Sequence, residues 1–68
     1  MKPYEIRLAE LHAHNAGHLK NLRTFTEDQF RFQRISEHEQ KLILNQIEQM
    51  AQLDKVLTER MKLHNIPV

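Results

Sequence analysis

Apolar residues recur at spacings of three and four along two stretches of the chain, and this pattern predicts two amphipathic helices. The first should run from about residue 3 to residue 23 and the second from about residue 27 to residue 64. The two prolines, Pro3 and Pro67, lie near opposite ends, and Gly17 is the only glycine. Because no stretch alternates apolar with polar residues as a strand does, the sequence predicts an all-α fold in a single domain over residues 1–68.

The second helix has a well-marked predicted start. Thr26 is a suitable N-cap residue, and Gln29 three positions later completes a capping box. Phe25 and Phe30 can pack on each other as a hydrophobic staple across this start. We therefore expect the chain to turn near Phe25 into an antiparallel hairpin, and the cations of the last turn predict that the second helix ends near His64.

These boundaries make the two predicted arms unequal in length. At about 1.5 Å per residue the arms would be roughly 30 Å and 57 Å long. The apolar face of the second helix then continues beyond the reach of the first, and an exposed apolar surface of that size normally marks an interface. We expect a homo-oligomeric helix bundle or coiled coil, with a dimer as the favoured assembly. The predicted oligomer interface comprises Ile43, Ile47, Met50, Leu53, Leu57 and Met61.

Two alternatives to this hairpin stay open at the level of sequence. The heptad positions from Tyr4 to Phe32 keep one register across the predicted turn, which is compatible with a continuous helix in an extended coiled coil. Ser36 with Glu39 forms another capping pair, which would start a helix later in the chain.

Polar residues interrupt the apolar faces of both predicted helices. If the chain turns near Phe25, Asn15 falls opposite Ser36 and Glu39 falls roughly opposite His12 or Leu11. An unpaired polar group is unfavourable inside such a face, so we expect a hydrogen-bonded layer that fixes the register.

Composition narrows the classes of function. The chain has no cysteine, which excludes disulfides and a thiol nucleophile and fits a reducing compartment. No phosphate-binding loop or nucleophile elbow is present, and we expect a protein that is not an enzyme and carries no cofactor. No apolar run is long enough to span a bilayer, so we expect no membrane partner and a cytoplasmic location. The formal charge of +1 gives no general attraction to nucleic acid.

Three histidines lie close together in the first helix. His12, His14 and His18 are spaced so that the last two fall one helical turn apart, and Glu10 extends the same ridge. This spacing suits Zn²⁺, but no second cluster of ligands is evident. The sequence therefore predicts no metal site, with His14 and His18 as the weak candidates for one.

Basic residues collect around the predicted turn. They alternate with carboxylates, an arrangement that is most often a solvated surface with weak ion pairs. They can also bind phosphates, and Phe30 among them is able to stack on a base. The candidate anion- or partner-binding residues are Lys20, Arg23, Phe30, Arg31, Arg34 and Lys41.

Two functional hypotheses follow. The first is a non-catalytic, self-associating protein that acts as an adaptor or inhibitor by binding another protein. The second is an oligomer that binds a nucleotide or nucleic acid through the basic residues. The stretch 34–50, with its Ser-capped start and apolar Leu-Ile run, resembles in outline the helical hairpins of small phage proteins that sequester signalling nucleotides. That resemblance covers under a third of the chain and carries over no binding residue.

Overall fold

The computed structural model describes residues 2–68, and this part of the chain is helical with no strand. Helix α1 spans Pro3–Glu27, the short α2 spans Gln29–Phe32 and α3 spans Glu37–Leu63. Helices α1 and α3 pack side by side in opposite directions, which gives a rod of 45 × 15 × 15 Å. The predicted all-α class and hairpin topology are confirmed, and the continuous-helix alternative is wrong.

The predicted boundaries of the hairpin need correction. Helix α1 has 25 residues and α3 has 27, so the two arms are nearly equal and the expected difference in length does not exist. Thr26 is not an N-cap, because it lies within α1 and its hydroxyl donates to the Arg23 carbonyl at 2.8 Å. The long helix begins instead after Ser36, whose Oγ accepts a hydrogen bond from the Glu39 N–H at 3.1 Å.

Side chains close the turn between the two long helices. The Asp28 carboxylate accepts from the Arg31 N–H at 3.3 Å and so caps α2. The Gln40 amide donates to the carbonyls of Phe32 at 3.0 Å and Ile35 at 2.9 Å. The Phe32 ring meets the Phe25 ring edge to face, with centroids 6.1 Å apart. The predicted packing of Phe25 on Phe30 is therefore wrong, because Phe25 packs on Phe32 instead.

One buried polar contact fixes the register of the hairpin. The Asn15 amide donates to the Met50 carbonyl at 3.0 Å, and Asn15 is only 7% exposed. The expected position of Asn15 opposite Ser36 is wrong, because residues 28–36 form the turn and move every pairing toward the C-terminus. His12 correspondingly meets Asp54 rather than Glu39. Asn15 is thus buried and hydrogen-bonded as expected, whereas the Glu39 side chain is exposed and the expectation for it is wrong.

The best-covered part of the core lies near the chain ends. Leu8 of α1 packs there with three residues from α3 and the segment after it: Leu57, Met61 and Ile66. Asn65 adopts a positive φ of 56°, and the Ile66 N–H donates back to the Met61 carbonyl at 2.9 Å. This is the Schellman arrangement that ends a helix and returns the next apolar residue to the core. The predicted end near His64 is confirmed.

Candidate functional site

A groove runs along one flank of α1 toward the turn. Its volume is about 380 Å³, and Leu19, which is buried, belongs to its wall. Spacings of three and four along α1 bring its lining residues onto one flank. The groove is lined by Ala16, Leu19, Lys20, Arg23, Thr24, Glu27 and, from α3, Asp54. Two of the predicted anion-binding residues, Lys20 and Arg23, are thus brought together.

The charged groups of the groove differ in their partners. Asp54 is paired with His12, whose Nε2 lies 3.4 Å from its carboxylate. Among residues 2–68, no carboxylate lies within ion-pair distance of Lys20 or Arg23. Both cations are exposed and able to contact an anion, while Glu27 and Asp54 keep the groove from being uniformly positive.

The other four candidates from the basic cluster do not line this groove. Arg31 pairs with Asp28 at 3.5 Å, and the Arg34 guanidinium lies 4.1 Å from the centroid of the Phe30 ring. Phe30 is 68% exposed, and Lys41 is exposed on α3. Phe30 and Arg34 thus contact each other at the turn, outside the groove.

The six residues of the predicted oligomer interface differ in how deeply the hairpin itself buries them. Leu57 and Met61 are 1% and 3% exposed and lie in the core of a single chain. Three further residues of the set, Ile43, Ile47 and Met50, are half-buried. Leu53 is 42% exposed and is the member of the set that a second chain can reach most readily.

Exposed apolar residues that the sequence analysis did not select lie beside Leu53. His12 and Asp54 meet on the groove side of the hairpin. Successive residues of a helix are rotated by roughly 100°, so Leu11 and Leu53, which precede His12 and Asp54, are turned away from that side. Leu11 and Leu53 therefore share the opposite flank, together with Val56 three positions further along α3. Leu11 is 46% exposed and Val56 is 52% exposed. We call Leu11, Leu53 and Val56 the apolar flank.

The histidines of α1 fall into two environments. His12 contacts the Thr58 hydroxyl at 3.2 Å in addition to Asp54, and is held between the helices. His14 and His18 are exposed, with their Nε2 atoms 3.1 Å apart. No group of three or more potential metal ligands occurs in the part of the chain that the structure describes.

The comparison with protein families gives one finding. A family model described as Sequestin matches residues 2–63. The chain belongs to the Sequestin family. The match covers all three helices, and the Sequestin description indicates a small binding or sequestering protein. This agrees at a coarse level with the predicted non-catalytic binding role and names no ligand. No curated protein and no solved structure matches the chain.

A helix that crosses a bilayer needs about 20 predominantly apolar residues. Across residues 2–68, no helix combines the length and the apolar character that crossing a bilayer requires.

Proposed function

We propose that this member of the Sequestin family self-associates and sequesters a small anionic molecule, without chemically changing it. The observation that carries the proposal is the groove that brings Lys20 and Arg23 together. Its volume of about 380 Å³ is within the range of small-molecule sites, roughly 300–1,000 Å³. We expect the protein to act in the cytoplasm, for which the absence of cysteine is consistent support.

The lining of the groove supports a nucleotide as the ligand class. Lys20 and Arg23 offer charged donors for a phosphate, whereas the Thr24 hydroxyl between them and the turn donates to the Lys20 carbonyl at 3.0 Å. Ala16, which is half-buried, offers a small apolar contact for a base, and Leu19 lies behind it at only 5% exposure. The carboxylates of Glu27 and Asp54 disfavour a long polyanion and can accept hydrogen bonds from ribose hydroxyls or exocyclic amines. A small nucleotide fits this mixture better than nucleic acid does.

The test is a binding assay with a panel of mono- and dinucleotides, followed by isothermal titration calorimetry on each positive compound. Replacing Lys20→Glu together with Arg23→Glu should weaken binding by about a hundredfold or more, since two charged donors are lost and a hydrogen bond to a charged group contributes about 1.5–3 kcal/mol. The matched control is Lys55→Glu with Lys62→Glu, which changes the net charge equally at exposed positions of α3 outside the groove.

Sequestration also predicts that the ligand is recovered intact. The bound compound, released by heating and identified by mass spectrometry, should have the mass of the compound that was added. A changed mass would mean that the chain is an enzyme. Equal weakening by the control pair would mean that the groove is not the binding site.

The second candidate is an adaptor or inhibitor that binds another protein. The apolar flank favours it, because Leu53 and Val56 are exposed side by side on α3. Two results together would favour this second function: no nucleotide of the panel binds, and the chain is monomeric. The apolar flank would then be free for a different protein.

A further inference from the structure

His14 and His18 form a pair whose geometry suits a metal ion. The two residues are one turn apart on α1, and their Nε2 atoms are 3.1 Å apart. A separation of 3.1 Å allows a hydrogen bond between the two nitrogens in the tautomer that places a proton on one Nε2. At Zn–N distances of about 2.0–2.1 Å, two imidazole nitrogens on a tetrahedral ion lie about 3.3 Å apart. Zn²⁺ can thus replace the shared proton with a small rotation of both rings.

One chain supplies only two of the four ligands that a tetrahedral zinc site needs. No third histidine, cysteine or carboxylate joins the pair within residues 2–68. His18 lies seven positions after Leu11, so the pair borders the apolar flank rather than the groove. A second copy related by a two-fold axis that passes beside His14 and His18 brings its own equivalent pair to the same ion, with the apolar flank next to the site.

We propose that His14 and His18 form half of a zinc site that two copies of the chain complete, with four imidazoles around one ion. The apolar flank supplies the contact that brings the copies together, and the ion fixes their relative orientation. This site is distinct from the groove, because His14 and His18 do not belong to its lining. The proposal therefore does not depend on the identity of the sequestered molecule.

The experiment is a titration of the whole chain with Co²⁺ and Zn²⁺. We expect saturation at one ion per two chains, together with the intense visible absorption of tetrahedral Co²⁺ that Zn²⁺ then removes. His14→Gln and His18→Gln should each abolish this signal. The control is His38→Gln, an exposed histidine on α3, which should leave both stoichiometry and spectrum unchanged.

Helix content, measured by circular dichroism, verifies that each variant is folded, which is expected because both positions are exposed. Saturation at one ion per chain, a spectrum of octahedral Co²⁺, or a tetrahedral signal that survives in His14→Gln would each overturn the shared site. The absence of any binding at micromolar metal would overturn it as well.

Discussion

At the scale of the residue, Ser36 determines where the long helix begins. Replacing Ser36→Ala removes the acceptor for the Glu39 N–H, and the free energy of unfolding should fall by about 1 kcal/mol. Thr26→Ala is the matched comparison, since Thr26 sits inside α1, where alanine has the better helix propensity. Urea denaturation, monitored by circular dichroism, measures both changes in the free energy of unfolding. A larger loss for Thr26→Ala would contradict the observed helix start.

Thr26 and Ser36 illustrate which local features can be predicted from the sequence. Thr26 with Gln29 and Ser36 with Glu39 are equivalent capping pairs in sequence terms. A threonine hydroxyl can also bond to a carbonyl in its own helix, as Thr26 does with Arg23, so the motif alone does not require a helix start. Sequence reasoning identified both candidate caps, but the choice between them depends on how the rest of the chain packs.

Asn15 gives a second example at this scale. Its place within an apolar face predicted a buried hydrogen bond, and the structure contains one. The partner could not be predicted, because it is the carbonyl of Met50, and every residue has such a carbonyl. The identity of that partner depends on the length of the turn, which no local pattern in the sequence specifies.

At the scale of the element, α1 is continuous through Gly17, although glycine weakens a helix. A methyl group added at Gly17 meets no atom within 4 Å. Gly17→Ala should therefore raise the free energy of unfolding by about 0.5–1 kcal/mol, because it removes backbone freedom from the unfolded chain without a clash. The reverse change, Ala13→Gly, in the same helix at another exposed position should lower it by a similar amount.

Thermal and urea unfolding of the two variants against the original chain measure these effects. If Gly17→Ala instead destabilised the protein, the glycine would have to serve close approach by another molecule, such as a second copy of the chain. A result of that kind would place an interface on the outer side of α1.

The elements also show why the expected length mismatch was wrong. The apolar spacing correctly predicted two long helices, since their periodicity extends over many turns. The boundary region was ambiguous because α2 continues helical backbone between them, with Asp28 as its cap. Contacts that span the turn, such as Gln40 with the Phe32 carbonyl eight residues earlier, stabilise it. These contacts are not visible in a local pattern.

At the scale of the whole molecule, the hairpin has a small core and two unlike flanks. Chains of this length bury only about 60% of their unfolded surface, and association with another chain is a common source of added stability. The groove lies on the side where His12 meets Asp54, and the apolar flank lies on the other side. Self-association through the apolar flank therefore leaves the groove of each copy open. Assembly and ligand binding should be separable by mutation.

That separation yields a prediction about oligomeric state. Sedimentation equilibrium should give a dimer for the original chain, and Leu53→Glu should shift it to a monomer, because two carboxylates would be buried at the two-fold interface. Leu44→Glu is the matched control, since Leu44 is 51% exposed and nine residues from Leu53, on the opposite side of α3. The Leu44 variant should remain dimeric.

The two outcomes that would contradict this arrangement have different meanings. A monomeric original chain at all concentrations would remove self-association from the proposed function and leave the groove unaffected. Dissociation by Leu44→Glu but not by Leu53→Glu would place the interface on the groove side, where a second copy would enclose the ligand. Nucleotide binding by the Leu53→Glu monomer distinguishes these cases further, because a groove complete in one chain retains its affinity, whereas a groove completed by a partner loses it.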